Sequence, residues 1–205
     1  MLLDLLQKRY SCRDFADKPI PREVIRYILE CGRLAPSGGN EQPWKFGIVT
    51  DRELINELAK AAGNNYDQSW IASAQLVVAM CTQIFSYEAD FADQDRPVDM
   101  GRFPSFHRRL KAVDYDLYTL ISMEGYAVHF PGEHMVLAAL ERGVYSTWIA
   151  SMDCEQAARL LGVTGYYVSE LIAFGYPKTE KRPMPKKSLG EITFTNHFDN
   201  VGIRL

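Results

Sequence analysis

No stretch of this 205-residue chain approaches the ~20 apolar residues that a helix needs to cross a bilayer, so a helical membrane protein is not expected. Cysteine is sparse and scattered. Cys12, Cys31, Cys81 and Cys154 stand singly with no CxxC spacing, so neither a zinc site nor a disulfide framework is expected, and each reads as a small buried hydrophobe. His107, His129, His134 and His197 are equally dispersed, and no metal site is expected. Basic charge is not in excess. With 23 Lys and Arg against 26 Asp and Glu, a net charge of −3 argues against a nucleic-acid partner and leaves room only for a local basic pocket holding a small anion. A Gly-rich dinucleotide-binding signature, internal repeats and low-complexity segments are also absent. The N-terminus, MLLDLLQKRYSCR, has too short an apolar part for a secretory signal, so a cytoplasmic protein is the expectation. The length predicts a single domain, residues 1–205, with a real core.

What the chain does contain centres on APSGGNEQPW, residues 35–44. Pro36 ends the preceding helix, Gly38 and Gly39 permit close backbone approach, and Pro43 directs Gln42 to an extended backbone. Ser37, Asn40 and Gln42 then offer hydroxyl and amide groups from a loop held at both ends; binding loop and plain connection both fit. Upstream, Leu2, Leu3, Leu5 and Leu6 form one side of a short helix leading to Arg9, Tyr10, Ser11 and Arg13. Two arginines around a serine fit either a phosphate grip or a solvated basic turn.

Periodicity predicts the frame. Pro21 to Ala35 reads as a helix with Val24, Ile28 and Cys31 on one face, and Trp44 to Thr50 as a strand. Thr50 with Glu53 is read as a capping box opening a helix that runs to Gly63. Leu76 to Cys81 is a buried strand, and residues 82–115 are an aperiodic excursion, either a substrate lid or a tethered loop. Asp116 to Arg142 is helical in composition, with Pro131 and Gly132 kinking it or opening a second helix; the part around Met135 to Leu140 is apolar nearly all round. Val144 to Ser151 and Tyr167 to Phe174 are strands flanking a helix capped by Asp153. Lys178, Lys181, Arg182, Lys186 and Lys187 then form a basic, proline-rich run. The last fifteen residues, with Ile192, Phe194, Phe198 and Ile203, are too apolar for a free tail.

In order, RYSCRDF, APSGGNEQPW, LAALERGVYSTWIA, FGYP and KKSLGEI resemble the nitroreductase family of FMN-dependent enzymes, over residues 5 to 195. The resemblance implies an α+β fold, a mostly antiparallel sheet surrounded by helices, in an intertwined homodimer with FMN sites at the interface. Residues 190–205 would be an arm embracing the partner. Carried over by position, Arg9, Ser11 and Arg13, with Tyr10 among them, would bind the phosphate, ribityl and pyrimidine side of FMN, and Lys186 or Lys187 would complete the phosphate site. Pro36, Ser37, Gly38, Asn40 and Gln42 would reach the flavin from the other subunit, and backbone groups of Trp148, Ile149, Ala150 and Ser151 would face its N5 edge. Arg13 is the candidate for stabilising reduced flavin. The implied cycle is ping-pong, with NADH or NADPH as donor and a nitroaromatic, quinone or related small molecule as acceptor, and no obligatory acid, base or nucleophile on the protein.

The sequence also departs from the family pattern. Asn64, Asn65, Gln68 and Trp70 occupy the segment where a second flavin contact is often a lysine, Tyr145 stands where many members have a small residue, and lysine replaces the usual late arginine. Two alternatives accompany the reductase reading: a specialised flavin reaction such as reductive dehalogenation, and a noncatalytic flavin-binding dimer.

Overall fold

The structure, a computed structural model, describes residues 2–37, 40, 42–63, 67–83, 128–199 and 201–202. In chain order these form α1 (Leu2–Lys8), α2 (Arg22–Arg33), β1 (Trp44–Val49), α3 (Arg52–Ala62), a 3₁₀ helix (Ser69–Ser73), β2 (Leu76–Gln83), α4 (His129–Glu141), β3 (Tyr145–Ile149), α5 (Cys154–Leu161), β4 (Tyr166–Gly175) and α6 (Leu189–Ile192). Thr82 and Gln83 therefore extend β2 rather than open the expected excursion; the rest of it, 84–115, lies outside the described residues, as do 116–127 of the expected long helix.

The sheet has strand order β1-β2-β4-β3 with every neighbouring pair antiparallel, the expected arrangement. Both of its faces are covered, and alternation along the strands shows why. In β2, Val77, Ala79 and Cys81 enter one apolar cluster with Ile55, Leu58 and Ala157 from α3 and α5, while Leu76, Val78 and Met80 enter another with Ile28 of α2 and Met135 of α4. Completely buried Val, Leu and Met side chains contribute about 1.5–3 kcal/mol each, so β2, with Leu76, Val77, Val78 and Met80 all fully buried, is a main source of stability. In β4 the register slips between Met80 and Cys81 of its partner, and Ser169 Oγ donates to the Met80 carbonyl at 3.0 Å across the irregularity.

Helix ends follow local chemistry, with one correction. The cap of α3 is Asp51, whose carboxylate accepts from Leu54 N–H at 2.8 Å, rather than the expected Thr50–Glu53 box. A carboxylate at that point satisfies an orphan amide and also meets the positive end of the helix dipole. Asp153 caps α5 as expected, accepting from Gln156 N–H at 2.8 Å. Pro131 is the third residue of α4, where a missing N–H costs no helical hydrogen bond, so it opens the helix rather than kinking it.

Cys12 and Cys81 are buried as expected, whereas Cys31 and Cys154 are only half-buried. The terminal elements do not bury their apolar side chains in this chain. Leu2 and Leu3 of α1 and Ile192, Phe194 and Phe198 near the C-terminus are all exposed. Among the described residues beyond α6, Phe194 and Phe198 form a ring contact, Gly202 N–H donates to the Thr193 carbonyl at 2.8 Å, and the Thr193 hydroxyl donates to the Leu189 carbonyl at 2.7 Å.

Candidate active site

Residues 9–16 form a strap along the free side of β3. Ser11 bridges Ser146 in parallel, Cys12 N–H donates to the Ser146 carbonyl at 3.1 Å, and the buried Thr147 hydroxyl donates to the Cys12 carbonyl. An extended strap alternates its side chains. Tyr10 and Cys12 are buried, while Ser11 and Arg13 are exposed and Arg9 is half-buried. Phe15 then enters the core against Gly175, where a Cβ would lie 2.7 Å from its ring, so only glycine lets the strap close on the end of β4.

The two arginines mark opposite ends of this row. Arg9 lies near Glu133, the fifth residue of α4; burial raises the Glu133 carboxyl, opposed by Arg9, the Trp148 indole N–H and His134. Arg13 lies over the Trp70 ring, 5.8 Å from its centroid, and the Trp70 indole N–H donates to Gln68 Oε1 at 3.0 Å. The structure thus brings Arg13 to the Gln68–Trp70 segment singled out in the sequence; Asn64 and Asn65 lie outside the described residues.

Trp148 is seated by the start of α4. A Cβ on Gly132 would lie 2.1 Å from its ring, and His129 stacks on it at 5.3 Å. His129 in turn lies 3.2 Å from Glu170, whose carboxyl burial raises and His129 lowers. The interruption at Pro131 and Gly132 is therefore a place for an indole, a role the sequence signals only as a break in periodicity. Ile149 is buried, while Ala150 and Ser151 lie just past β3 with exposed or half-buried surface.

The loop after α2 is a separate unit. Ser37 Oγ accepts from Gln42 N–H at 3.0 Å, Gln42 Nε2 donates to the Asn40 carbonyl at 3.1 Å, and Asn40 N–H donates to the Ser37 carbonyl at 3.1 Å. Gln42 has φ +50° and Asn40 φ +62°, so Gln42 is not extended as Pro43 led one to expect; the Ser37 hydroxyl holds it in the left-handed region. Pro36, Asn40 and Gln42 are exposed, and the described hydrogen bonds of these side chains stay within the loop. Gly38 lies outside the described residues. Lys186 and Lys187 are exposed at the end of the basic segment.

This donor set suits an anionic, phosphate-bearing cofactor. Among the described residues neither Arg9, Arg13, Lys186 nor Lys187 forms a salt bridge, whereas Lys178 is held by Asp14 at 3.0 Å. Their charge is thus available to phosphate oxygens and to a flavin's electron-rich edge, which fits FMN. A cleft of about 670 Å³ between α3 and the 3₁₀ helix is a poorer place for phosphate, being lined by Glu53, Glu57 and Asp67 against Lys60 alone. No helix among the described residues is long and apolar enough to cross a membrane.

Comparison with known proteins agrees with this architecture. A sequence model described as the Nitroreductase family matches residues 6–101. A protein of Archaeoglobus fulgidus, provisionally named NADH dehydrogenase/NAD(P)H nitroreductase, is 29% identical over 185 residues, 87% of each chain. The NADPH:FMN oxidoreductase from Vibrio harveyi complexed with NAD+ superposes with a TM-score of 0.72 at 22% identity, over 96% of this chain and 77% of that one. The FMN-dependent nitroreductase from Clostridium difficile R20291 gives 0.70 at 20% identity, over 96% and 99%. The chain has the nitroreductase fold. Its resemblance to the nitroreductase family holds for the family model over residues 6–101 and in fold over 96% of the chain.

Proposed function

We propose that this protein is an FMN-dependent oxidoreductase. It would use NADH or NADPH in a ping-pong cycle to reduce nitroaromatic, quinone or related small-molecule acceptors, as a homodimer with shared active sites. The observation that supports the reading most is the strap on β3, which is stitched to Ser146 and Thr147 with Arg9 toward Glu133 and Arg13 over Trp70, both guanidinium groups being without a salt bridge among the described residues. The names of the Vibrio and Clostridium structures, which pair this fold with FMN, support it.

FMN, when bound, supplies the hydride-transfer chemistry. Arg9 and Lys186 or Lys187 would neutralise the phosphate, and Ser11 would donate to the ribityl or phosphate oxygens. Arg13, exposed but set over the Trp70 ring, would stabilise negative charge on the pyrimidine side. Seating of the Trp148 indole on Gly132 would hold the backbone of Ile149, Ala150 and Ser151 in place along the N5 edge. Ser37, Asn40 and Gln42, braced within their own loop, would be presented to the partner's flavin. The exposed Ile192, Phe194 and Phe198 would be covered in the dimer.

An anaerobic titration of FMN-loaded protein with NADH and then NADPH tests the reading. Bleaching of oxidised-flavin absorption, then recovery on adding a quinone or nitroaromatic, is expected. Flavin that stays oxidised with both donors would favour the specialised or noncatalytic alternatives, and failure to bind FMN would overturn the proposal.

A further inference from the structure

Tyr145, the large residue at a position where the family pattern led one to expect a small one, is not explained by the fold alone. It opens β3 opposite Gly175, the last residue of β4, so it stands where the chain leaves the sheet for the basic segment. Its ring packs on Tyr10 of the strap, with centroids 4.8 Å apart and planes tilted by 40°. Tyr10 is itself buried, and its hydroxyl donates to the Thr179 carbonyl at 3.4 Å and neighbours the Lys181 backbone.

The start of the basic segment is held by the strap in steps. Ala16 N–H donates to the Tyr176 carbonyl at 2.8 Å, Phe15 bridges Pro177, and Lys178 N–H donates to the Asp14 carbonyl at 3.1 Å. Tyr10 makes the last of these grips, at Thr179 and Lys181. From there to Ser188, whose amide binds Glu191 at the start of α6, no described hydrogen bond ties the segment to the body. The positions of Lys186 and Lys187 therefore depend on where Tyr10 holds the chain, and Tyr10 is oriented by the Tyr145 ring.

We infer that Tyr145 is a positioning residue for the phosphate end of the cofactor site: by packing on Tyr10 it clamps the basic segment at Thr179–Lys181 and sets Lys186 and Lys187 within reach of the anion bound by Arg9. This rests on the FMN reading above. Aromatic pairs contribute about 0.5–1.5 kcal/mol beyond burial, so losing the pair should cost up to roughly tenfold in the affinity of whatever the clamp positions. The clamp discriminates by phosphate. FMN should feel its loss, whereas riboflavin, which has the same ring system and ribityl chain without phosphate, should not.

The experiment titrates flavin-stripped full-length protein with FMN and with riboflavin, following quenching of flavin fluorescence. Tyr145→Ala is expected to weaken FMN binding about tenfold and riboflavin binding less than about twofold, with Tyr145→Phe restoring wild-type behaviour. Tyr10→Phe, which keeps the ring and removes only the hydroxyl, should give a smaller FMN-specific loss and serves if Tyr145→Ala does not fold. In a Lys186→Ala/Lys187→Ala background the Tyr145→Ala effect should vanish, because the clamp then has nothing to position. Equal losses for FMN and riboflavin, or an undiminished Tyr145→Ala effect without the lysines, would reduce Tyr145 to a packing residue and overturn the inference. A wild-type protein that binds neither flavin would instead remove the reading beneath it.

Discussion

The strap of residues 9–16 and the loop of residues 35–43 both carry candidate cofactor contacts, and they are held in opposite ways. The strap is stitched to β3 on one side and to residues 176–178 on the other, with Tyr10, Cys12 and Phe15 buried. The loop's hydrogen bonds run from Ser37 to Gln42 and back, with Pro36, Asn40 and Gln42 exposed. A strap fixed at many distant points can hold a charge still, which electrostatic stabilisation requires. The bonds among Ser37, Asn40 and Gln42 brace those residues while leaving Asn40 and Gln42 exposed, which suits the proposed contact completed by another subunit. On the proposed reading, one protomer would hold the cationic half of the site firmly and offer the polar half to its partner.

The largest expected effect strikes the strap side. Gly132→Ala would drive a methyl into the Trp148 ring and to within 3.1 Å of Ile172, and overpacking of this kind costs about 1–3 kcal/mol or more. Urea denaturation should show a midpoint lowered accordingly, together with weaker flavin binding as the β3 edge shifts. Unchanged stability and binding would mean that Trp148 has room to move, and the contrast with the loop would lose its basis.

Arg9→Ala comes next. Losing a charge-assisted contact to phosphate should weaken FMN binding roughly 10- to 100-fold while leaving the fold intact, since Arg9 has no salt bridge among the described residues. The loss should shrink at high salt, because screening already weakens the contact in the wild type. Equal FMN affinity for variant and wild type in low salt would remove Arg9 from the phosphate site.

Alkaline pH also separates the regions. The cluster that buries the strap contains two buried thiols, Cys12 and Cys81, both pushed up by desolvation, whereas the cluster against α2 and α4 contains no cysteine among the described residues. Cys81 rises from its ordinary 9.0 to about 11. Because the folded pKa lies above the unfolded one, the stabilisation is complete below about pH 9 and is lost as pH climbs through about 11, on the order of 2 kcal/mol for Cys81. The difference in stability between wild type and Cys81→Ala should therefore shift over that window. A parallel pH dependence in the two proteins would mean that Cys81 ionises freely.

How much of this was legible in the sequence differs between the same two regions. Strands and helices whose apolar residues recur at period 2 or 3.6 were readable to within a residue or two, because burial on a fixed face imposes the period. The chemistry of Arg9, Ser11 and Arg13 was readable only by resemblance, since the pairing of Ser11 with Ser146 spans 135 residues and leaves no local period. Gln42 shows the opposite failure. A rule about the residue before proline gave an extended backbone, and a hydroxyl five residues upstream outweighed it. Asp51 and Thr50 are both good cap residues side by side, so only the observed bond to Leu54 N–H decides between them.

The smallest expected effect bears on that hydroxyl. Ser37→Ala removes the acceptor of the Gln42 N–H, leaving Gln42, at positive φ, with its side-chain bond to the Asn40 carbonyl. Since the site is exposed, water replaces the lost partner and the cost to global stability should stay near 1 kcal/mol or below. On the proposed dimer reading, the effect on function should be larger than the effect on stability, because Gln42 and Asn40 would sample other backbone states before meeting a partner's flavin. Gln42→Gly tests the same point in reverse. Glycine adopts φ +50° without steric cost, so that variant should keep the turn while losing the side-chain amide. If Ser37→Ala weakens flavin binding and Gln42→Gly does not, the loop acts by its backbone shape. The reverse pattern would assign the contact to the Gln42 amide, and no effect from either would leave this loop a connection between α2 and β1.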